Sequence, residues 1–222
     1  MTKSTGQQLA IIGGSGFVGR QLSAQLLARN YSVTILTRST STRLLKRLAA
    51  ACLRVVNISS DADLLAALAG MDVLVNLAGI LHPTPEHSFQ QIHVELPSRL
   101  AALCRRAGVS RYLHMSALQA SAAKGPSQYL FSKGVGEDAV HGIGSDLAVT
   151  SFRPSIIFGE GDNFFGRFAA MLRWLPAFPL VCPQARFAPV WVEDVAAAFV
   201  AVISHPPAEL EVVMRPLLGR YA

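Results

Sequence analysis

Residues 9–20, with the sequence LAIIGGSGFVGR, join a short apolar run directly to a cluster of glycines. The apolar run predicts a buried strand. After Gly16, apolar side chains recur at helical spacing, which predicts that a helix begins there. A strand, a glycine turn and a helix in this order are typical of the opening of a dinucleotide-binding fold. A tight turn without a ligand is the alternative.

Gly13, Gly16 and Gly19 have the spacing G-x-x-G-x-x-G. A pyrophosphate must lie against bare backbone, so Cβ atoms beside it are a hindrance; glycine removes them and permits positive φ angles. The N–H groups of the helix's first turn then face the anion, and the helix dipole favours its negative charge. The turn therefore predicts a diphosphate site at the N-terminus of the first helix.

The end of the second predicted strand, residues 31–37, bears on the choice between NADP and NAD. NAD-selective domains place an acidic residue here to bind the ribose hydroxyls. This chain has Arg38 followed by hydroxyl residues. A carboxylate would repel a 2′-phosphate, whereas a guanidinium can form paired hydrogen bonds with it. We therefore expect NADP(H) to be preferred and NAD(H) to remain usable; an ordinary surface arginine is the alternative.

Strand and helix patterns alternate along the 222 residues. This alternation predicts an α/β fold, a Rossmann-type doubly wound parallel sheet with helices on both faces. Strands are predicted at 9–12, 31–37, 54–58, 73–77 and 111–116. Helices are predicted after Gly16 and at 44–51, 61–68, 90–107 and 194–204.

Composition limits the classes of partner and site. The basic residues behind the net charge of +6 are scattered, so we expect no nucleic-acid partner. No apolar run approaches the length of a membrane span, so we expect no transmembrane segment, while peripheral association with a membrane complex stays open. The three cysteines lie far apart without metal-ligand spacing, which favours a reduced, cytoplasmic setting and no metal site.

Tyr129 and Lys133 form the pair of residues with the clearest catalytic potential. Their spacing of four places both side chains on one helix face. A neighbouring cation favours the phenolate and lowers the pKa of a tyrosine. Such a pair can exchange a proton with a substrate oxygen while a nicotinamide exchanges hydride. The alternative is a tyrosine packed by its ring beside a solvated lysine.

In their order along the chain, these motifs resemble the short-chain dehydrogenase/reductase superfamily, of the extended or atypical NAD(P)-dependent epimerase/dehydratase kind. The resemblance covers about residues 8–205. Its landmarks are the glycine turn, the NLAG at 76–79, Ser116 after the fifth strand, the Tyr129–Lys133 pair, the RPSIIFG at 153–159 and the PVWVEDVA at 189–196. Arg38 and the residues around Ser116 are most similar to NADPH-binding accessory subunits of respiratory complex I.

The resemblance implies roles for individual residues. Tyr129 is the implied acid/base, Lys133 holds the ribose and tunes Tyr129, and Ser116 orients the substrate oxygen. The implied dinucleotide contacts are Gly13, Ser15, Gly16, Phe17 and Val18 at the pyrophosphate, Ile58 at the adenine, Leu77, Ala78 and Gly79 along the dinucleotide, and Pro154, Ser155 and Ile156 at the nicotinamide half.

The sequence also departs from the pattern of that superfamily. His93 stands where an asparagine is usual on the helix after the fourth strand. Ser116 is followed by Ala117 and lies close to Tyr129 in sequence, so Ser121 is an alternative to it. We expect a Rossmann domain over 1–205, with 160–188 as a substrate-side insertion, and 206–222 as the remnant of a small or truncated substrate subdomain.

Two functions follow from these expectations. The first is an oxidoreductase or epimerase-like enzyme that transfers hydride to or from a small carbonyl, alcohol or nucleotide-sugar substrate, with a Tyr/Lys proton relay. The second is a non-catalytic NADPH-binding accessory or assembly protein of a respiratory-type complex.

Overall fold

The computed structural model describes residues 6–38, 52–144, 146–162 and 188–205. The helix predicted at 44–51, nearly all of the 160–188 insertion and the whole of 206–222 lie outside these residues. Six parallel strands form one sheet in the order β3-β2-β1-β4-β5-β6, which confirms the doubly wound fold. The strands are β1 (Gln8–Ile12), β2 (Ser32–Thr37), β3 (Cys52–Val55), β4 (Val73–Asn76), β5 (Arg111–Met115) and β6 (Ala148–Phe152).

Both faces of the sheet are buried, as the nearly continuous apolar strands require. The helices that cover them are α1 (Phe17–Leu27), α2 (Asp61–Leu68), α3 (Leu96–Ala107), α4 (Gln128–His141) and α5 (Val192–Ser204). Alternate residues of each strand enter two separate apolar cores. Leu9 and Ile11 join the core under α1 and α5, whereas Ala10 and Ile12 join the core under α2, α3 and α4.

A small second sheet pairs β7 (Ile157–Phe158) with β8 (Val190–Trp191). The helix that follows, α5, is fixed to the main sheet at its C-terminal end. Arg111, the first residue of β5, donates to the carbonyl oxygens of Val202 and Ile203, the latter at 3.0 Å. The Tyr31 hydroxyl, just before β2, lies 2.9 Å from the Ser204 hydroxyl.

Most elements lie within two residues of their predicted bounds, and two depart further from the prediction. The third strand ends at Val55 rather than at residue 58, because its partner β2 ends at Thr37 and Asn57 then forms a turn with Ser59. The helix predicted at 90–107 has a different first turn: Gln90–Glu95 is π-helical and leads into α3. Glycine at position 108, with φ of 76°, ends α3 as predicted.

Candidate cofactor and catalytic site

The glycine turn is held in place by its own packing. Gly13 has φ of +78°, and a Cβ there would lie 2.9 Å from the carbonyl carbon of Leu77. A Cβ on Gly14 would lie 2.9 Å from the Ile35 side chain, and one on Gly19 would overlap the backbone of the turn. Close packing of the turn, α1, β2 and the chain after β4 therefore demands these three glycines without reference to a ligand.

The anion-binding capacity of the turn lies in the open N-terminus of α1. Gly16 is the N-cap residue, is exposed, and offers no side chain to cap the helix. The first bond to the helix interior runs from Arg20 N–H to Gly16 O at 3.0 Å, so the amides of Phe17, Val18 and Gly19 precede the helical ladder. These donors suit a pyrophosphate, and the bare backbone at Gly16 fits its approach.

The facing wall of the cleft is the chain that leaves β4. The Leu77 N–H donates to Ile12 O at 2.9 Å, which extends the pairing of β1 with β4. Asn76 is fully buried; its Oδ1 accepts from Ala78 N–H at 3.0 Å and its Nδ2 donates to the Tyr112 hydroxyl at 2.9 Å. Asn76 thereby sets the path of the backbone that the resemblance assigns to the dinucleotide.

Lys133 connects three elements at this edge. Its Nζ donates to the Met115 carbonyl oxygen, at the end of β5, at 3.0 Å. The same nitrogen is 3.2 Å from the point where a Cβ of Gly79 would lie. Burial lowers the pKa of the Lys133 ammonium from 10.5 to about 8, because the charged form loses its hydration. The site therefore places a cation of reduced pKa beside the strand ends.

Tyr129 lies one helical turn before Lys133, with its ring in an aromatic contact. The His93 ring packs edge-to-face on it at 5.4 Å between centroids, and Phe89 does so at 6.1 Å. Burial raises the pKa of the Tyr129 phenol. This direction is opposite to the lowering expected from a neighbouring cation. In the protein without cofactor, Tyr129 is therefore a neutral phenol and a proton donor at neutral pH.

Ser116 directly follows the carbonyl that binds Lys133, and its hydroxyl is buried with no hydrogen-bond partner among the described residues. A buried, unpaired hydroxyl is unfavourable by about 1–3 kcal/mol, so it marks a place where a further polar group is expected. Ser121, the alternative, is occupied differently: its Oγ accepts from the N–H groups of Ala123 and Lys124 in its own loop, at 3.3 and 3.0 Å. The geometry favours Ser116.

His93 bonds through both ring nitrogens. Ile80 N–H donates to its Nε2 at 3.1 Å, so the proton is on Nδ1, which lies 2.8 Å from the Ser132 hydroxyl. Ser132 in turn donates to the Tyr129 carbonyl at 2.8 Å. Burial, and then the charge of Lys133, lower the His93 pKa to about 3, which keeps the ring neutral. His93 therefore ties the strand-4 wall to the turn of α4 that carries Tyr129.

The segment after β6 carries the residues that the resemblance assigns to the nicotinamide half. Arg153 forms a two-oxygen ion pair with the buried Glu137 of α4, at 2.9 and 3.0 Å from Nε. Pro154 O accepts from Leu118 N–H at 2.8 Å, and Ile156 O accepts from Val190 N–H at 2.9 Å. Ser155, between them, is half-buried. The segment 154–156 is thus fixed against α4 and against the small sheet.

The residues predicted to contact the adenosine half are Ile58 and Arg38. Ile58 packs against the core under α2, and its carbonyl accepts from Arg99 Nη1 at 3.3 Å. Arg38 follows β2, is exposed, and its Nη1 donates to Nε2 of His87 in the loop after β4. Apart from those on α1 and α4, the predicted catalytic and dinucleotide-contacting residues follow the carboxyl ends of parallel strands, which meet at the same edge of the sheet.

Three polar residues acquire roles that the sequence did not assign to them. Asn76 was visible only as part of a landmark, and His87 as a loop histidine. His114 is buried, its Nε2 has no partner within the part of the chain that the structure describes, and burial lowers its pKa to about 3. A capping signal at Ser88 and Gln91, whose side chains and N–H groups bond reciprocally, is a sequence pattern that predicts where the helix after this loop begins.

Neither a metal-ligand cluster nor a membrane-spanning helix occurs within residues 6–38, 52–144, 146–162 and 188–205. Among those residues, no group of three or more His, Cys, Asp or Glu side chains is placed to hold a metal ion. None of the helices in that part of the chain has the length and apolar character needed to cross a bilayer.

Comparison with known proteins gives one family match. The sequence profile of the NAD dependent epimerase/dehydratase family matches residues 9–213. A likeness in fold is also found to MoeE5 in complex with UDP-glucuronic acid and NAD, with a TM-score of 0.74 at 21% identity over 90% of this chain and 73% of that one.

Two curated relatives are similar in sequence. NADH dehydrogenase (ubiquinone) 1 alpha subcomplex subunit 9, mitochondrial, of Dictyostelium discoideum is 29% identical over 92% of this chain and 58% of its own length. A ceramide reductase of Caulobacter vibrioides is 31% identical over 89% of this chain and 61% of its own length. The chain thus spans about three fifths of the length of these two relatives.

Proposed function

The chain belongs to the NAD-dependent epimerase/dehydratase family, and from this we propose that it binds NADP(H) in preference to NAD(H) and reduces a carbonyl group. The observation that carries the proposal is the hydrogen bond from Lys133 to Met115 O beside Gly79. This bond brings the end of β5, with the unpaired Ser116 hydroxyl next in the chain, to the wall of the dinucleotide cleft.

The cofactor would be held by groups from both walls. The open amides of α1 and the glycine turn would bind the pyrophosphate, and the backbone of 77–79 would line the dinucleotide. Pro154, Ser155 and Ile156 would contact the nicotinamide half, Ile58 would pack against the adenine and Arg38 would bind the 2′-phosphate. When bound, the nicotinamide supplies or accepts a hydride at the substrate carbon.

Tyr129 would supply the proton. With burial raising its pKa, the phenol starts neutral and can donate its hydrogen to the carbonyl oxygen as the carbon gains hydride. The C=O bond becomes an alcohol, and the phenolate left on Tyr129 is stabilised by the Lys133 cation until it regains a proton from solvent. Ser116, unpaired in the free protein, would donate to or accept from the same substrate oxygen.

The substrate class is a small carbonyl, its alcohol product or a nucleotide-sugar. The name of the ceramide reductase relative supports a reductive reaction, and the UDP-glucuronic acid in the complex with MoeE5 supports the nucleotide-sugar alternative. Because the chain spans only part of its relatives, their substrates do not select between these classes.

A second candidate function is a non-catalytic NADPH-binding accessory or assembly protein of a respiratory-type complex. The relative named as a mitochondrial NADH dehydrogenase subunit favours it. In this case the cofactor would be structural, and the surface of the protein would associate peripherally with a membrane complex. For either function we propose a reducing compartment such as the cytoplasm, consistent with the buried free thiol of Cys104.

The first experiment is a fluorescence titration of the purified chain with NADPH and with NADH. We expect both to bind, NADPH more tightly, and Arg38→Asp to shift the preference toward NADH. Binding of neither dinucleotide would overturn the proposal. Equal affinities of parent and variant for both cofactors would contradict the role of Arg38 alone.

The second experiment separates the enzyme from the accessory protein. NADPH oxidation is followed with a panel of aldehydes, ketones and nucleotide-sugars, for the parent and for Tyr129→Phe. We expect turnover by the parent to be lost in the variant, while the affinity for NADPH is kept. Turnover that survives in Tyr129→Phe removes Tyr129 from the mechanism. Tight NADPH binding without turnover on any member of the panel supports the accessory function.

A further inference from the structure

The contact between Arg38 and His87 joins two strands that are not neighbours. Arg38 follows β2, and His87 lies in the connection that leaves β4. In the sheet, β1 lies between β2 and β4. Since adjacent strands are about 4.8 Å apart, the two anchoring strands stand about 10 Å apart. The Arg38–His87 bridge therefore spans the carboxyl end of β1, where the glycine turn begins.

The chemistry of the bridge fixes the state of its histidine. A guanidinium has only donors, so His87 Nε2 must be the acceptor, and the ring is neutral with its proton on Nδ1. Only one of the five guanidinium N–H groups is needed for this bond. The rest of the fork is of the kind that matches phosphate oxygens.

The backbone around His87 is held firmly by its own loop. Thr84 N–H donates to His87 O at 2.9 Å, and His87 N–H donates to Thr84 Oγ1 at 3.1 Å. The next residue, Ser88, donates its N–H to Gln91 Oε1 at 2.9 Å at the start of the π-helical turn. Because its backbone is held in this way, His87 can restrain the long, exposed Arg38 side chain.

We propose that His87 is a positioning residue for NADPH specificity, which holds Arg38 over the adenosine end of the cleft so that its remaining donors meet the 2′-phosphate. The proposal rests on the proposed function. An arginine side chain loses rotamer freedom when it binds a ligand, and restraint in the free protein removes part of that loss. His87 thus strengthens binding only of the dinucleotide that Arg38 recognises.

The test measures dissociation constants of NADPH and NADH for the full chain and its variants. His87→Phe keeps a ring but removes the acceptor, and we expect it to weaken NADPH by about threefold to tenfold while NADH changes by less than about twofold. His87→Gln, whose amide oxygen can accept from Arg38, is expected to lose less. His82→Phe, at an exposed histidine of the same loop, is the matched control and should bind both cofactors as the parent does.

Two further measurements exclude a merely structural effect. Competition by adenosine 2′,5′-bisphosphate should weaken in His87→Phe, whereas competition by adenosine 5′-monophosphate should not. In an Arg38→Ala background, His87→Phe should add no further loss of NADPH affinity, because it acts through Arg38.

The inference is overturned if His87→Phe weakens both cofactors equally, tightens both, or adds its effect to that of Arg38→Ala. A tightening of both would mean that the bridge blocks the cleft. If the parent prefers NADPH and only the His87 variants behave this way, the proposed function stands. If the parent binds neither dinucleotide, both proposals fail together. A thermal melt of each variant verifies that it is folded, and His87→Ala, which also removes the acceptor, replaces His87→Phe if the latter is not.

Discussion

Lys133→Met should remove the rise in the free energy of unfolding that the parent shows between pH 8 and pH 10.5. The Lys133 ammonium has a pKa of about 8 in the folded chain against 10.5 for the unfolded reference. Between these values the unfolded chain binds more protons than the folded one, so the free energy of unfolding rises with pH. The destabilisation from this group is complete below pH 8 and disappears above pH 10.5.

The magnitude follows from the two pKa values. With one pKa unit equal to about 1.4 kcal/mol, the buried charge destabilises the fold by about 3 kcal/mol at pH 7 and by about 1 kcal/mol at pH 10. Methionine has a similar shape and no charge, so this term is absent from Lys133→Met. The lost hydrogen bond to Met115 O and any change in packing do not depend on pH and cancel in the comparison.

The assay is urea denaturation of parent and variant at several pH values from 7 to 10, without cofactor. Relative to the parent, Lys133→Met should be more stable at pH 7 than at pH 10 by about 2 kcal/mol. Lys124→Met, at an exposed lysine near the start of α4, is the control and should run parallel to the parent. A difference between parent and Lys133→Met that stays constant with pH would refute the desolvated cation.

Three further substitutions test the packing and hydrogen bonds of the site. Ser116→Ala should raise the free energy of unfolding by about 1 kcal/mol, because it removes a buried hydroxyl that has no partner among the described residues. It should also abolish turnover. A clear loss of stability in urea denaturation would show that the hydroxyl is hydrogen-bonded. His93→Phe should lower the free energy of unfolding by about 1–3 kcal/mol at pH 7. Since burial lowers the His93 pKa to about 3, this deficit should shrink as the pH falls from 6.5 to 5. A deficit that stays unchanged in urea denaturation argues against a neutral buried ring. Gly136→Ala should lower the free energy of unfolding by about 1–3 kcal/mol, because its Cβ would overlap His93 O. A Cβ on Gly142 would lie 3.3 Å from Asp138 O, so Gly142→Ala should lower the melting temperature less. Equal effects of the two substitutions would contradict the close approach of α4 to His93.

The fold could be predicted because its signals are local and repeat along the chain. Residues 9–12 are buried on both faces, and the glycines after them match the close packing of β1, α1 and β4. That packing also explains the limit of the prediction. The glycines at 13, 14 and 19 are required by the packing of the turn itself. The proposed capacity to bind an anion rests on the backbone amides at the start of α1, and the sequence of side chains does not show whether these amides are open.

The connections within the site could not be predicted, because they join residues far apart in sequence. The bond between Arg38 and His87 spans 49 positions, and that between His93 and Ser132 spans 39. Single-residue patterns identified Tyr129 and Lys133 but could not show that burial, rather than a neighbouring charge, dominates the Tyr129 pKa. The π-helical turn at 90–95 likewise follows an apolar pattern that predicts an ordinary α-helix.

The hydrogen bonds from Arg111 to the last turn of α5 place that turn at the end of the sheet where the parallel strands begin. The predicted site residues follow the opposite ends of the strands. The five residues of β5 separate the two ends of the sheet by about 16 Å. The C-terminal turn of α5 therefore lies on the side of the sheet away from the candidate site.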